Sequence, residues 1–340
     1  MDNKTKTSIG IAAAAGATLG TGAVVGTNRL IRFIFDPKDL STFEKMESVE
    51  RDSKSVSPNR VPDAKIRMRA EANAAWLCEA TDEWLREIAV ERVTRTTEGG
   101  LQNLVGYIYH SPKPTRRWVI LVHGYRGTHS EMEKYGFIYS AHGFNVLAVD
   151  LRSHGESDGR FIGMGYNDGF DLLDWTRYLI ERFGSDIDIV LHGQSMGAAT
   201  VLMASGYCCY PQVAAVIADS AYTSVWDILS LQLRQALHLP AAPLLAWMNV
   251  CFKAQGGYDL RAGSMVDAVR TSAIPTLFIH GGVDTFVPPT MAPRLYAACA
   301  AELKELHVIP GAGHIMSVLL DPSEYEAIVE GFLIKVGESR

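Results

Sequence analysis

Basic charge is scarce in this sequence and never gathers. Lys and Arg number 32 against 38 Asp and Glu, a formal net charge of −6, and no cationic stripe follows any segment. Nucleic-acid affinity rests on clustered Lys and Arg, so that class of partner is excluded. Cysteine is equally sparse and badly arranged for structure. There are 5, an odd number, with Cys208 and Cys209 adjacent, the rest scattered and no CxxC pair. That excludes a disulfide framework and a cysteine zinc site. The five are expected to serve as small buried hydrophobes. No His-Glu arrangement has metal-ligand spacing. The glycines of FIGMGYNDG follow no strand and do not form G-x-G-x-x-G, so no dinucleotide site is expected. The expectation is therefore no metal, no cofactor and no recognisable protein partner. Internal repeats and low-complexity tracts are missing too.

Long uncharged runs are also rare, with one exception. Between Lys6 and Arg29 no residue is charged, and SIGIAAAAGATLGTGAVVG is apolar or small throughout. That is close to the ~20 residues a helix needs to cross a bilayer. Residues 1–34 are expected to form a single-pass membrane anchor, with cleavage as a secretory signal the alternative. Charges flank the segment on both sides, so the positive-inside rule does not orient it. Short amino-terminal leaders of this kind direct export, which favours a folded part outside the cytoplasm. Gly16/Gly20 and Gly22/Gly26 have the spacing that lets two membrane helices approach closely.

What is present is the composition of a globular chain: of the 340 residues, 47% are apolar and 21% charged, which sets disorder aside. Residues 35–69 are polar and rich in Lys, Ser and Pro, and read as a linker or arm. A helix is expected over residues 70–88. IAVERVT and NLVGYIY, joined through Glu-Gly-Gly, have the pattern of an antiparallel hairpin. After that, WVILVHG reads as a buried strand, and FNVLAVD, DIVLHG, AAVIAD, PTLFIHG and ELHVIP read as strands by composition, most of them separated by helical segments. Alternation over about 220 residues predicts an α/β fold, a mostly parallel sheet with helices on both faces. One folded unit over 70–340 is expected. A helix-rich insertion interrupts it at about 222–263, over the carboxyl ends of the strands, where such sheets bind ligands.

The chemistry gathers at LHGQSMGA, residues 191–198. A serine between two glycines, directly after a strand and before a helix, sits on a corner too tight for side chains at Gly193 and Gly197. The Met196 N–H then faces any negative charge that develops near Ser195. G-x-S-x-G alone is weak: a chain of this length holds one by chance about one or two times in ten. Its company is stronger. A serine hydroxyl needs a base, and the base needs a carboxylate to fix its tautomer. Asp284 stands just past one strand end in HGGVDTFVP, and His314 stands past the last strand in GAGHIM. Upstream, His123-Gly124 follows an early strand, and the Tyr125 N–H is the natural second oxyanion donor.

These motifs, with HGYRG, DLRSHGESDG and DSAYTSVWD, resemble the α/β-hydrolases over about residues 91–336. They are most similar to bacterial acyl hydrolases that carry an amino-terminal membrane or signal segment. The resemblance implies a Ser195–His314–Asp284 triad, an oxyanion hole from the Tyr125 and Met196 N–H groups, and a helical cap over the serine. Where Arg126 stands the family often has a smaller residue, which would narrow access beside the oxyanion hole.

Blander roles are expected of the neighbours. Asp219, also at a strand end, is the alternative acid. His280 closes a strand ahead of Asp284, and His307 lies within its strand. His123, Asp150, Arg152, His154 and Asp158 are expected to hold nearby backbone. The aromatic insertion serves as an acyl pocket or as cap helices packed on each other. The expected reaction is hydrolysis of a small carboxylic ester through an acyl-enzyme. Amides, thioesters and peptides fit the same triad, and a non-catalytic binding member is the remaining reading.

Overall fold

The computed structural model describes residues 25–37, 63–97, 102–237 and 241–339. The chain order is α1 (25–35), α2 (Ala64–Glu87), β1 (Ala89–Thr96), β2 (Asn103–His110), β3 (Arg117–Val122), α3 (Glu133–Ala141), β4 (Asn145–Asp150), α4 (Tyr166–Phe183), β5 (Asp188–Gln194), α5 (Met196–Tyr207) and β6 (Val213–Asp219). It continues through α6 (Val225–Leu237), α7 (Ala241–Ala254), α8 (Met265–Val269), β7 (Thr276–Gly281), α9 (Met291–Ala298), β8 (Lys304–Ile309), α10 (Ser317–Leu320) and α11 (Pro322–Glu338).

Eight strands form one sheet in the order β1-β2-β4-β3-β5-β6-β7-β8. β1 and β2 make the expected antiparallel hairpin, and β2 lies antiparallel to β4. Every later pairing is parallel. Strands β3 to β7 are apolar because both faces are covered, and their alternation deals side chains to two cores. Trp118, Ile120 and Val122 of β3 join one, and Val119 and Leu121 join the other. The first core is closed by α4, α5 and the cap, the second by α2, α3 and α11. Strand order reverses at β3, which has β4 on one side and β5 on the other. The crevice at such a switch point, outside the strands' carboxyl ends, is where open α/β sheets bind ligands.

The insertion is a cap of two helices, α6 and α7, and its neck is stitched shut. Ser224 bridges Ser264, and the Val225 and Met265 N–H groups donate to Gly263 and Thr223 carbonyls at 2.8 and 3.0 Å.

Two boundaries differ from the expected ones. α2 begins at Ala64, where Asp63 accepts the Lys65 N–H at 2.8 Å as its cap, so residue 69 falls inside a helix. Residue 34 also falls inside one. α1 packs on the folded unit, with Ile31, Ile34 and Phe35 in the first core. Their spacing of three and four residues puts all three on one helix face. Residues 1–24, which carry most of the expected membrane segment, lie outside the described residues. Among the described residues no helix is long and apolar enough to cross a membrane. The cysteines differ as well: only Cys299 is buried, while Cys78 and Cys209 are exposed and all five are free thiols.

Candidate active site

Ser195 sits between β5 and α5 with φ 56° and ψ −114°. That left-handed, strained backbone is held by its surroundings. Its N–H donates to the Asp219 carbonyl at 2.8 Å. Gly193 and Gly197 make the corner possible, because a Cβ on either would lie 2.6 Å from backbone, Ala198 N in one case and His123 O in the other. The strain lifts Oγ off the end of the sheet, where it donates to His314 Nε2 at 2.8 Å.

His314 follows β8, and its Nδ1–H donates to Asp284 Oδ2 at 2.7 Å. Asp284 follows β7. Its other oxygen accepts the Phe286 and Val287 N–H groups, both at 2.8 Å. The carboxylate is therefore aimed by the backbone rather than by a flexible partner. Ser195, Asp284 and His314 are all buried, so these bonds operate at reduced dielectric, where each is stronger than in water. The Phe286 ring lies 4.9 Å from the His314 ring and packs it in place.

His280, near the end of β7 ahead of Asp284, is a neighbour of that carboxylate. Its Nε2 lies 3.5 Å from Asp284 Oδ2 and donates to the Val287 carbonyl at 2.9 Å. Burial lowers its pKa below the ordinary histidine value, keeping it a neutral donor on the loop that carries the acid. Asp219 takes a different place from Asp284. Its side chain accepts the Ser220 hydroxyl at 2.9 Å, and burial pushes its pKa up to about 6. His314 Nδ1 bonds to Asp284 and not to Asp219.

Of the two expected amide donors, Met196 adjoins the serine in sequence and Tyr125 follows the glycine that comes close to it. Met196 opens α5, so its N–H is one of the donors a helix start leaves without an internal partner. Tyr125 lies in the turn after β3 that the Gly127 N–H closes on the Gly124 carbonyl at 3.2 Å. A Cβ on Gly124 would stand 3.4 Å from the Ser195 Cβ. The turn thus brings the Tyr125 backbone beside the elbow from the neighbouring strand.

Most of the remaining polar residues hold backbone, as expected, while Arg152 differs in holding a carboxylate. His123 Nδ1 donates to the Gly124 carbonyl at 2.7 Å, and Nε2 accepts the Leu151 N–H at 3.0 Å. Burial takes its pKa down to about 3, which fixes it neutral. Asp150 accepts the His129 and Glu156 N–H groups at 2.8 and 3.0 Å. Arg152 forks onto Asp171, at 2.6 Å to each oxygen. The Arg126 N–H donates to His154 Nε2 at 3.2 Å, and Asp158 accepts the Asn103 N–H at 3.0 Å. None of these groups reaches the serine. A cavity of about 550 Å³ opens beside Arg126, Ser153, His154 and Gly159, and none of Ser195, Asp284 or His314 lines it. Among the described residues no three His, Cys, Asp or Glu side chains gather as a metal site.

Sequence reasoning missed what Tyr125 and Arg126 do with their side chains. The Tyr125 hydroxyl donates to the Ile34 carbonyl and the Arg126 guanidinium to the Phe33 carbonyl, both at 2.7 Å. The signal was available: Ile31, Ile34 and Phe35 repeat at helical spacing after Arg29, past the uncharged run.

Residues 119–328 match the alpha/beta hydrolase family. An uncharacterized protein of Bacillus subtilis, YqkD, is 31% identical over 232 residues, 68% of this chain and 76% of its own. An uncharacterized protein of Mycobacterium tuberculosis is 29% identical over 240 residues, 69% of this chain and 74% of its own. Among solved structures, a Pyrococcus furiosus esterase superposes with a TM-score of 0.60 at 22% identity, over 73% of this chain and 92% of that one. A membrane phospholipase A, described as a bacterial virulence factor, superposes with a TM-score of 0.53 at 14% identity, over 79% and 92%.

Proposed function

This chain belongs to the alpha/beta hydrolase family, and from that premise we propose that it is a serine hydrolase of carboxylic esters. The observation that carries the proposal is the unbroken relay from Ser195 Oγ to His314 at 2.8 Å and from His314 to Asp284 at 2.7 Å. Neutral His314 takes the hydroxyl proton as Oγ attacks the ester carbonyl carbon. The Tyr125 and Met196 N–H groups receive the oxyanion, and the start of α5 adds its dipole. Collapse of the tetrahedral adduct breaks the carbonyl–alkoxide bond, and His314 returns the proton to the leaving alcohol. Water, deprotonated by the same imidazole, then releases the acid and restores Ser195. Asp284 stays ionised and orients the ring throughout.

Support for an ester as the scissile group comes from solved relatives of the fold that are described as an esterase and a phospholipase. The helices of the insertion are apolar, with Leu229, Leu233, Leu245, Met248 and Phe252 buried in the first core, and an apolar cap would suit an apolar acyl or alkyl group. Ester, thioester and anilide substrates of one acyl group, compared at equal concentration, test the assignment. Hydrolysis of the ester alone, or fastest, supports it. Faster cleavage of the anilide or thioester would replace it with an amidase or thioesterase using the same residues.

We further propose that the uncharged amino-terminal run anchors the enzyme in the cell membrane with its catalytic part outside the cytoplasm. Membrane fractionation, with protease added to intact cells, tests both parts: protein recovered in the soluble cytoplasmic fraction would refute them.

A further inference from the structure

The carboxyl end of α1 leaves carbonyl groups with no helical partner, and the folded domain supplies donors for them in sequence. Phe33 O receives the Arg126 guanidinium and Ile34 O the Tyr125 hydroxyl, both at 2.7 Å, while Phe35 O receives the Ile162 N–H at 2.8 Å. Two of these three donors are the two residues that follow Gly124. They belong to the loop that approaches Ser195 at Gly124, where a Cβ would stand 3.4 Å from the Ser195 Cβ. A cationic guanidinium at a helix carboxyl end is also favoured by the helix dipole.

The other side of α1 is tied to the cap. The Phe35 ring stacks on Phe252 of α7 with centroids 4.1 Å apart, and Gln255 donates to the Asn28 side chain at 3.0 Å. One short helix thus bridges the cap and the loop beside the serine.

Arg126 itself is out of place by backbone criteria. Its φ is 60°, a conformation that favours glycine and costs other residues roughly 1–2 kcal/mol. A glycine would make the same turn without strain. What arginine adds here is its side chain, and that side chain ends on α1.

We propose that α1 is a positioning strap for the oxyanion loop. Arg126 and the Tyr125 hydroxyl, anchored on the Phe33 and Ile34 carbonyls, hold the Tyr125 N–H in register with Ser195. They are positioning residues and touch no reacting atom. The inference rests on the proposed roles of Ser195 and the Tyr125 N–H, and it goes beyond them in making this amino-terminal helix part of the catalytic geometry.

The test uses the full chain with three substitutions. Arg126→Asn tolerates the left-handed backbone but cannot reach Phe33. Arg126→Lys keeps the charge and some of the reach. Tyr125→Phe deletes one hydroxyl and nothing else. Each is assayed for kcat and KM on p-nitrophenyl esters from acetate to palmitate, with melting temperature measured alongside. Misplacing an oxyanion donor weakens the transition state and leaves ground-state binding nearly intact. Arg126→Asn should therefore lower kcat about tenfold with KM changed less than about twofold. The factor should be the same at every acyl length, and Arg126→Lys should recover part of it. A kcat within about twofold of the parent while the protein is folded would overturn the proposal, leaving a structural contact only. So would a loss that grows with acyl length, which would make α1 a wall of the acyl pocket.

If Arg126→Asn does not fold, Tyr125→Phe carries the test, with a kcat reduced about threefold expected and an unchanged kcat overturning. Failure of the esterase reading looks different, because the parent itself would then show no Ser195-dependent turnover. In that case the rate at which a p-nitrophenyl alkylphosphonate labels Ser195, read by mass, makes the same comparison without turnover.

Discussion

The backbone of Gly197 runs so close to the end of β3 that a Cβ there would overlap the Val122 carbonyl and lie 2.6 Å from the carbonyl oxygen of His123. The first turn of α5 rests directly on the neighbouring strand, and the elbow cannot relax away from it. Gly197→Ala should therefore destabilise the fold by more than about 3 kcal/mol and abolish activity with it. A urea denaturation series reads the loss. A midpoint unchanged from the parent would show that the elbow is looser than this contact requires.

Asp284 and Asp219 separate cleanly under substitution. Asp284→Asn keeps an oxygen for the Phe286 and Val287 N–H groups but turns a donor toward His314 Nδ1. The imidazole then loses the tautomer that accepts the Ser195 proton, and kcat should fall about 10⁴-fold with little change in melting temperature. Asp219→Asn should cost less than about tenfold. The reverse order of the two losses would move the acid role to Asp219.

Buried neutral histidines make the fold sensitive to acid. His192 lies between the Tyr139 and Tyr325 hydroxyls, each at 3.1 Å, and burial takes its pKa down to about 3. In the unfolded chain it titrates near ~6.5, so between those values the unfolded state holds more protons than the folded one. Its contribution is complete above about pH 6.5 and is lost as pH falls toward 3. Asp168 and Asp219 act in the opposite sense: burial raises them to about 7 and about 6. Each favours the folded state while protonated, an advantage lost as pH rises through those values. The two signs are separated by a variant. Between pH 7 and 4.5 the urea midpoint of His192→Gln should fall less steeply than that of the parent. Parallel slopes would contradict the assignment.

Phe35 and Phe252 should behave as a coupled pair. Both are fully buried, and replacing either with alanine should cost about 3 kcal/mol or more. The double variant should fall short of the summed losses by about 1 kcal/mol, the value of a stacked pair. Strict additivity, measured by denaturation in the full chain, would show that α1 is not seated on the cap.

The sheet was legible in the sequence because its inner strands, β3 to β7, are buried on both faces and read as nearly uninterrupted apolar runs. The cap neck was legible because the insertion begins where a strand ends at Asp219. Ser195, Asp284 and His314 each stand one to five residues past a strand end, with Gly193, Gly197 and the loop around His314 marked by glycine. The resemblance pointed to Asp284, but strand position alone left Asp219 as an alternative. Asp219 closes β6 while Asp284 stands three residues past β7, and what turns Asp284 toward His314 is the pair of 2.8 Å bonds from Phe286 and Val287. The helical segment 25–35 was absorbed into the uncharged run before it, because only three residues, Ile31, Ile34 and Phe35, carry its amphipathic signal. The cysteines failed as core residues for a simpler reason: exposure at Cys78 and Cys209 is set by helix phase and loop position, to which composition is blind.

The central claim is that Ser195, activated by His314, cleaves esters. The direct measurement is hydrolysis of a p-nitrophenyl ester series, acetate to palmitate, by the full chain and by Ser195→Ala at matched folding. The account predicts turnover by the parent and a loss of at least about 10³-fold in the variant at every chain length. Equal turnover by the two proteins, or none by a folded parent toward any ester, would contradict it.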